Sequence, residues 1–399
     1  MSTNNENINK ETKNPNVPHL RFPEFFEEWK RVELKDVAEF QKSRIPADGL
    51  DASCYISTEN LIPNFGGIKE ASSIPTDGNV MAIKPNDILI SNIRPYLKKV
   101  WQSDRFGGCS ADVFVLRTTG CQGDFLYNII ASDKFINYVM SGVKGVKMPR
   151  GDKRQMEEFE FSIPTIEEQN RISRLLSLLD ERIATQNKII EDLKKLKSTI
   201  VEMLLCNRNS ELLKLGDIGY FIRGLTYANE DVTENKAATT VIRANNLNYG
   251  NHVDKGEVVY VNRIPATSQI LRKGDIVICM ANGSSVLVGK NSYYPFNDGQ
   301  STIGAFCGIY RTSHPLAKWL MQSKRYKRLV YQSLQGGNGA IANLNGDDIL
   351  NMSFPMMEKE KSKSIIFILE TIEKLLAVNK DLQRLYSTQK SHLLKQMFI

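Results

Sequence analysis

What most limits the fold of this 399-residue chain is that it says nearly the same thing twice. Asp192-Leu193-Lys194-Lys195-Leu196-Lys197-Ser198-Thr199 is answered by Asp381-Leu382-Gln383-Arg384-Leu385-Tyr386-Ser387-Thr388. Phe161-Ser162-Ile163-Pro164 is answered by Met352-Ser353-Phe354-Pro355, and Asn86-Asp87-Ile88-Leu89-Ile90 by Gly274-Asp275-Ile276-Val277-Ile278. Near each start, Ile56-Ser57-Thr58-Glu59-Asn60-Leu61 matches Ile242-Arg243-Ala244-Asn245-Asn246-Leu247. The four matches keep their order, and their offsets drift only from 186 to 191 residues. They imply two copies of one unit, each a globular segment followed by a long helix. A chain that repeats a domain is built to bind two similar things, or one thing with two similar parts.

Composition sets the outer bounds. Hydrophobic residues at 41% and charged residues at 24% are ordinary for a globular protein. Each half can bury its own core. The net charge of +7 permits a polyanion partner without requiring one, so local clustering decides. No apolar run approaches the roughly 20 residues of a membrane span. Residues 1–16 are polar and Asn-rich, which predicts a disordered tail and no secretory signal. Cys54, Cys109, Cys121, Cys206, Cys279 and Cys307 are well separated and form no C-x-x-C pattern. That usage fits a reducing compartment and a cytoplasmic location.

The coarse reading is α+β. Two similar mixed domains, 17–164 and 209–356, alternate with two long helices, 165–208 and 357–399. Asn86-Asp87 reads as a turn feeding the buried strand Ile88-Leu89-Ile90, and Asp87 and Asp275 read as turn residues. Helical spacing covers Phe125 to Val139 in the first copy and Leu316 to Leu334 in the second. One long amphipathic seam runs through Ile172, Leu176, Leu179, Ile183, Ile190, Leu193, Leu196, Ile200 and Met203. The other runs through Ile365, Leu369, Ile372, Leu376, Leu382, Leu385, Leu393 and Met397. About 40 residues give a helix roughly 60 Å long. Such helices would leave wet apolar stripes unless they cover each other. An antiparallel pair with a domain at each end, related by a pseudo-twofold, is the economical arrangement. Asn207 to Ser210 is the expected break.

Catalytic motifs are missing. There is no G-x-x-x-x-G-K-[ST] loop and no G-x-G-x-x-G opening a helix after a strand. His19, His252, His314 and His392 lack metal-ligand spacing. Glu157-Glu158 and Glu167-Glu168 read as solvated helix residues. The Gly-rich stretch 335–340 reads as a flexible turn, with Asn338 available at its tip. Contacts for nucleic acid are present. Lys144, Lys147, Arg150, Lys153 and Arg154 crowd a Gly-rich stretch that suits a loop reading phosphates and base edges. Arg94, Tyr96, Lys98 and Lys99 follow a buried strand. The second copy places Asn282, Ser284, Ser285 and Lys290 there instead. A repeated frame with changed exposed residues suits two domains that read different sequences. A duplicated coiled-coil scaffold without a DNA role is the alternative. An adenine methyltransferase would need an [DNS]-P-P-[YFW] motif that is missing.

At this point the chain resembles the specificity subunits of type I restriction-modification enzymes. The likeness runs from about Val17 to Ile399. It rests on Val17-Pro18-His19-Leu20-Arg21-Phe22-Pro23-Glu24-Phe25 with Trp29 and Leu34, and on Pro164-Thr165-Ile166-Glu167-Glu168-Gln169-Asn170-Arg171-Ile172. Asn92-Ile93-Arg94-Pro95-Tyr96 and Lys147-Met148-Pro149-Arg150-Gly151 also resemble recurring segments of the family. The resemblance implies two target-recognition domains, each reading one half of a bipartite asymmetric DNA target. It implies helices that act as a ruler and dock two methylation and two restriction subunits, with Glu168, Gln169, Ile172 and Leu176 as docking residues. S-adenosylmethionine, ATP and Mg²⁺ would sit on those partners, and this chain would be non-catalytic. One departure is Pro355-Met356-Met357-Glu358-Lys359-Glu360-Lys361, which stands where a second Glu-Gln motif belongs.

Overall fold

The structure is a computed structural model, and it describes residues 16–143, 148–205, 211–334, 342–355 and 359–399. Two compact units form, one from Met1–Gln186 with Leu382–Ile399 and the other from Asn187–Asp381. The tail 1–15, the break 207–210, the Gly-rich stretch 335–340, Met356–Glu358, Lys144, Lys147 and Asn338 lie outside the described residues.

The first unit is built on an antiparallel sheet in the order Ala38–Phe40, Val113–Thr118, Ile88–Ser91, Val100–Gln102. Ile88–Ser91 is buried along its whole length, which explains its unbroken apolar run. Successive side chains point to opposite faces. Ile88 and Ile90 therefore join Phe125, Phe135, Ile172 and Leu176 in one core, while Leu89 joins Ile56, Ile83 and Val115 in another. The second unit repeats this with Gly219–Arg223, Cys307–Thr312, Ile276–Cys279 and Asn291–Tyr293 in the matching order. Ile276 and Ile278 face one core, and Val277 and Cys279 the other.

The outer sheets differ. In the first unit Asn79–Ile83 pairs with Gly107–Cys109, which pairs in parallel with Tyr55–Ile56. In the second, Val259–Val261 pairs with Thr239–Ile242, which pairs in parallel with Ser301–Ile303. The central frame is thus copied, and the outer layer is rebuilt on it.

The long helices are Ile166–Met203 and Lys359–Met397. Within the first unit, Lys390 Nζ donates to both carboxylate oxygens of Asp180 at 2.6 and 2.7 Å, and Met397 joins Ile172 and Leu176. Within the second, Ile190 packs on Ile372 and Leu376, Lys197 meets Glu373 at 2.9 Å, and Val201 and Leu204 share a core with Leu369. Partner numbers fall as helix numbers rise, so inside each unit the two helices run antiparallel. The seam is not the expected straight row. Leu196 and Met203 are about half exposed, whereas Val201 and Leu204 are buried. A 3.6-residue helix drifts off a fixed heptad stripe, and the buried positions follow that drift.

Each expected domain helix is in fact two. Gly123–Ile130 and Asp133–Ser141 replace a single Phe125–Val139, and Ala317–Leu320 and Lys324–Leu334 replace Leu316–Leu334. The cause is the same in both copies. Ser132 Oγ accepts the Phe135 N–H, and Ser323 Oγ accepts the Tyr326 N–H, so each serine caps a new start. Among the described residues no helix is long and apolar enough to cross a membrane.

Candidate nucleic-acid interface

The strand Ile88–Ser91 ends in a loop that the chain folds with care. Arg94 takes a left-handed conformation at φ 51°. Pro95 then opens a short 3-10 turn, Pro95–Leu97, and Lys98 closes it at φ 55°. A second loop is zipped against this one. The Arg94 N–H donates to the Pro149 carbonyl at 2.9 Å, Gly151 N–H to Asn92 O at 3.1 Å, and Ile93 bridges Arg150. Gly151 packs closely here, and a Cβ would stand 2.5 Å from Met156 Cε and 3.3 Å from Val139. The two basic loops read separately in the sequence therefore form one surface. Arg94, Tyr96 and Arg150 are exposed on it, with Arg150 held 3.5 Å from Asp112.

Three further cations of this set have partners within the unit. Lys98 pairs with Asp133 at 2.6 Å. Lys99 donates to the Thr58 carbonyl at 2.5 Å, and burial, helped by Lys69, holds its ammonium below the usual lysine range. Lys153 lies over the rings of Phe114 and Phe40, at 4.7 and 5.3 Å. Lys98, Lys99 and Lys153, like Arg150 beside Asp112, thus each meet a partner within the unit.

The second unit rebuilds the same loop pair. Ala281–Asn282 pairs with Ala342–Asn343, at the positions that answer Ile93 and Arg150. The loop again carries a 3-10 turn, Ser285–Leu287. Its surface is polar where the first is basic. Ser284 and Ser285 are exposed, Asn282 Oδ1 accepts the Ser284 N–H at 3.0 Å, and Lys290 lies 5.1 Å from the Tyr249 ring. Lys290 occupies the position of Lys99, since Cys279 and Ser91 each donate an N–H to its carbonyl counterpart.

At the start of each central strand, the end away from its loop, lies an ion pair that sequence reading missed. Arg117 grips Asp87 through two bonds of 2.7 Å, and Arg311 grips Asp275 at 2.8 and 2.7 Å. Each aspartate also accepts a turn N–H three residues back, from Lys84 or Arg272. The turn role expected of Asp87 and Asp275 is present, with a paired charge added. A further repeat was legible and went unread. Asn64-Phe65-Gly66 answers Asn248-Tyr249-Gly250, and both aromatics hold positive φ, at 58° and 35°.

The docking set requires correction. Glu168, Gln169, Ile172 and Leu176 are all buried inside the first unit. Glu168 is not solvated: it accepts two bonds of 2.7 Å from Arg21. Gln169 Oε1 accepts the Gln122 N–H, and its amide donates to the Pro164 carbonyl, each at 2.9 Å. The Glu-Gln motif fastens the helix to its own domain. Among the described residues no three His, Cys, Asp or Glu side chains converge to hold a metal ion.

With this geometry in hand, the comparisons are specific. Residues 26–195 match the model of the type I restriction modification DNA specificity domain. The MjaVIII specificity subunit of Methanocaldococcus jannaschii is 23% identical over 396 residues, covering 90% of this chain and 89% of that one. The EcoKI specificity subunit of Escherichia coli is 30% identical over 166 residues, which is 39% of this chain and 34% of that one. The crystal structure of the S subunit of a type I system from M. genitalium aligns over 96% of this chain and 99% of its own, with a TM-score of 0.61 at 15% identity. Residues 26–195 thus carry a type I restriction modification DNA specificity domain, and the chain is similar in sequence to a type I specificity subunit over 90% of its length. A chain from a study of complex assembly in a type I system aligns over 92% of this chain and 97% of its own, with a TM-score of 0.51 at 18% identity. The copied frame is thus a shared fold.

Proposed function

We propose that the two units read the two parts of a bipartite, asymmetric DNA sequence and so direct adenine methylation or restriction by partner subunits. One observation carries this reading. The same paired loops, on the same central strand, expose Arg94, Tyr96 and Arg150 in one unit and Ser284 and Ser285, beside half-buried Asn282, in the other. Arginine pairs well with guanine edges and asparagine with adenine edges, so one frame yields two specificities.

Two methylation and two restriction subunits would dock along the long helices. Exposed apolar side chains support this, among them Phe367, Ile368, Leu375 and Val378. Isolated exposed apolar residues are ordinary, but a row of them on one helix marks an interaction surface. S-adenosylmethionine, ATP and Mg²⁺ would be held by those partners. The test is reconstitution. The purified chain alone should transfer no methyl group and cleave neither DNA nor ATP, and adding a cognate methylation subunit with S-adenosylmethionine should produce sequence-specific adenine methylation. Methyl transfer by the chain alone, free of any partner, would refute the assignment.

A further inference from the structure

The second unit contains a cleft of about 920 Å³ where the closing half of the first long helix, the middle of the second, the helix Lys324–Leu334 and the loops around Tyr249 and Lys290 meet. Its floor is apolar, formed by buried Val201, Val288, Met321, Val330 and Leu376. Its walls carry five lysines, Lys194, Lys197, Lys290, Lys327 and Lys380, and no carboxylate. Lys197 is balanced by Glu373. Lys380 is held below the usual lysine range by partial burial and then by Lys194 and Lys197, so positive charge is crowded there. Tyr249 and Tyr331 stand exposed at the mouth.

The frame does not demand this cleft. In the first copy Gln383 and Tyr386 answer Lys194 and Lys197. A buried core residue, Ile136, answers Lys327, and Lys98, paired with Asp133, answers Gly289. Gly289 lines the floor at φ +79°, packed so closely on Val330 that a Cβ there would stand 2.7 Å from it.

We propose that this cleft is a binding site for a mononucleotide or dinucleotide, its ring and sugar on the apolar floor and tyrosines, its phosphates on Lys194, Lys290, Lys327 and Lys380. The size is that of a small-molecule site, not of a duplex groove. Unpaired ammonium groups around a desolvated floor favour phosphate, where charge-assisted bonds are strongest. The cleft borders the proposed reading loop through Ser285 and Lys290, and the site is proposed whichever DNA that loop reads.

Calorimetric titration of the full chain with ATP, ADP, pyrophosphate and adenosine tests it. Saturable binding of the nucleotides is expected, with adenosine and pyrophosphate each weaker by at least about tenfold. The pair Lys194→Gln with Lys380→Gln should weaken ATP by at least about tenfold, while the charge-matched pair Lys188→Gln with Lys374→Gln leaves it unchanged. Absence of saturable binding, or equal losses in both pairs, overturns the site. So does displacement of ATP by duplex DNA, which would place the cleft on the DNA face.

Discussion

Asp275 and Arg311 form the more deeply buried of the two repeated ion pairs. Their side chains are only 2% and 10% exposed, whereas Arg117, which grips Asp87, is 29% exposed. Breaking a buried pair leaves an uncompensated charge and costs about 3–5 kcal/mol, and solvent softens that cost. Asp275→Asn should therefore destabilise its unit by several kcal/mol in urea unfolding, and Asp87→Asn by visibly less. Equal losses would mean that exposure of the arginine does not matter. Asp298 gives a pH signature. Burial pushes its carboxyl up, but bonds from Lys255, Ser301 and Tyr294 outweigh this and bring it down from 3.8 to about 2. A lowered folded pKa stabilises above the unfolded value, and that stabilisation is lost as pH falls through the folded value. The stability gap between the chain and Asp298→Asn should be constant above about pH 5 and should close between about pH 4 and pH 2. A gap that persists at pH 2 would show that the effect is packing, not charge.

Among the elements, the long helices were legible from their hydrophobic period and the central strands from short unbroken apolar runs. The helix breaks were legible in principle. Ser132-Asp133-Lys134-Phe135 and Ser323-Lys324-Arg325-Tyr326 are N-cap signals that an unbroken apolar period hid. The ion pairs Arg21–Glu168 and Arg117–Asp87 were not legible. They join residues 147 and 30 positions apart, and only sheet register and helix docking bring them together. For the same reason Glu168 read as a solvated acid and Lys99 as a free cation. The end of the chain shows the same non-local logic. The Leu20 N–H donates to Gln396 O at 2.9 Å, Met397 is buried, and the Phe398 ring lies 5.2 Å from Phe125. Deleting residues 393–399 should raise hydrogen exchange in Gly123–Ile130 while leaving Ile276–Cys279 protected. Uniform loss of protection in both would contradict the separate cores.

At the scale of the molecule, the first unit is completed by residues 382–399. A fragment of residues 1–208 lacks them, but Leu204 and Leu205 answer Leu393 and Leu394 in the repeat. A second copy of the fragment can supply that packing, so the fragment should dimerise and, with its methylation partner, direct methylation of a palindrome. A monomeric fragment with full activity would argue against it. The central claim is that each repeated domain reads its own part of the target. Genome-wide mapping of methylated adenines, in cells carrying the methylation partner with either the native chain or Arg94→Ala with Arg150→Ala, tests it most directly. Losing a base-reading arginine costs about 1–3 kcal/mol and relaxes one position. The native chain should give a two-part asymmetric motif, and the variant should degrade one part and keep the other. A single continuous motif, or equal loss in both parts, would contradict the account.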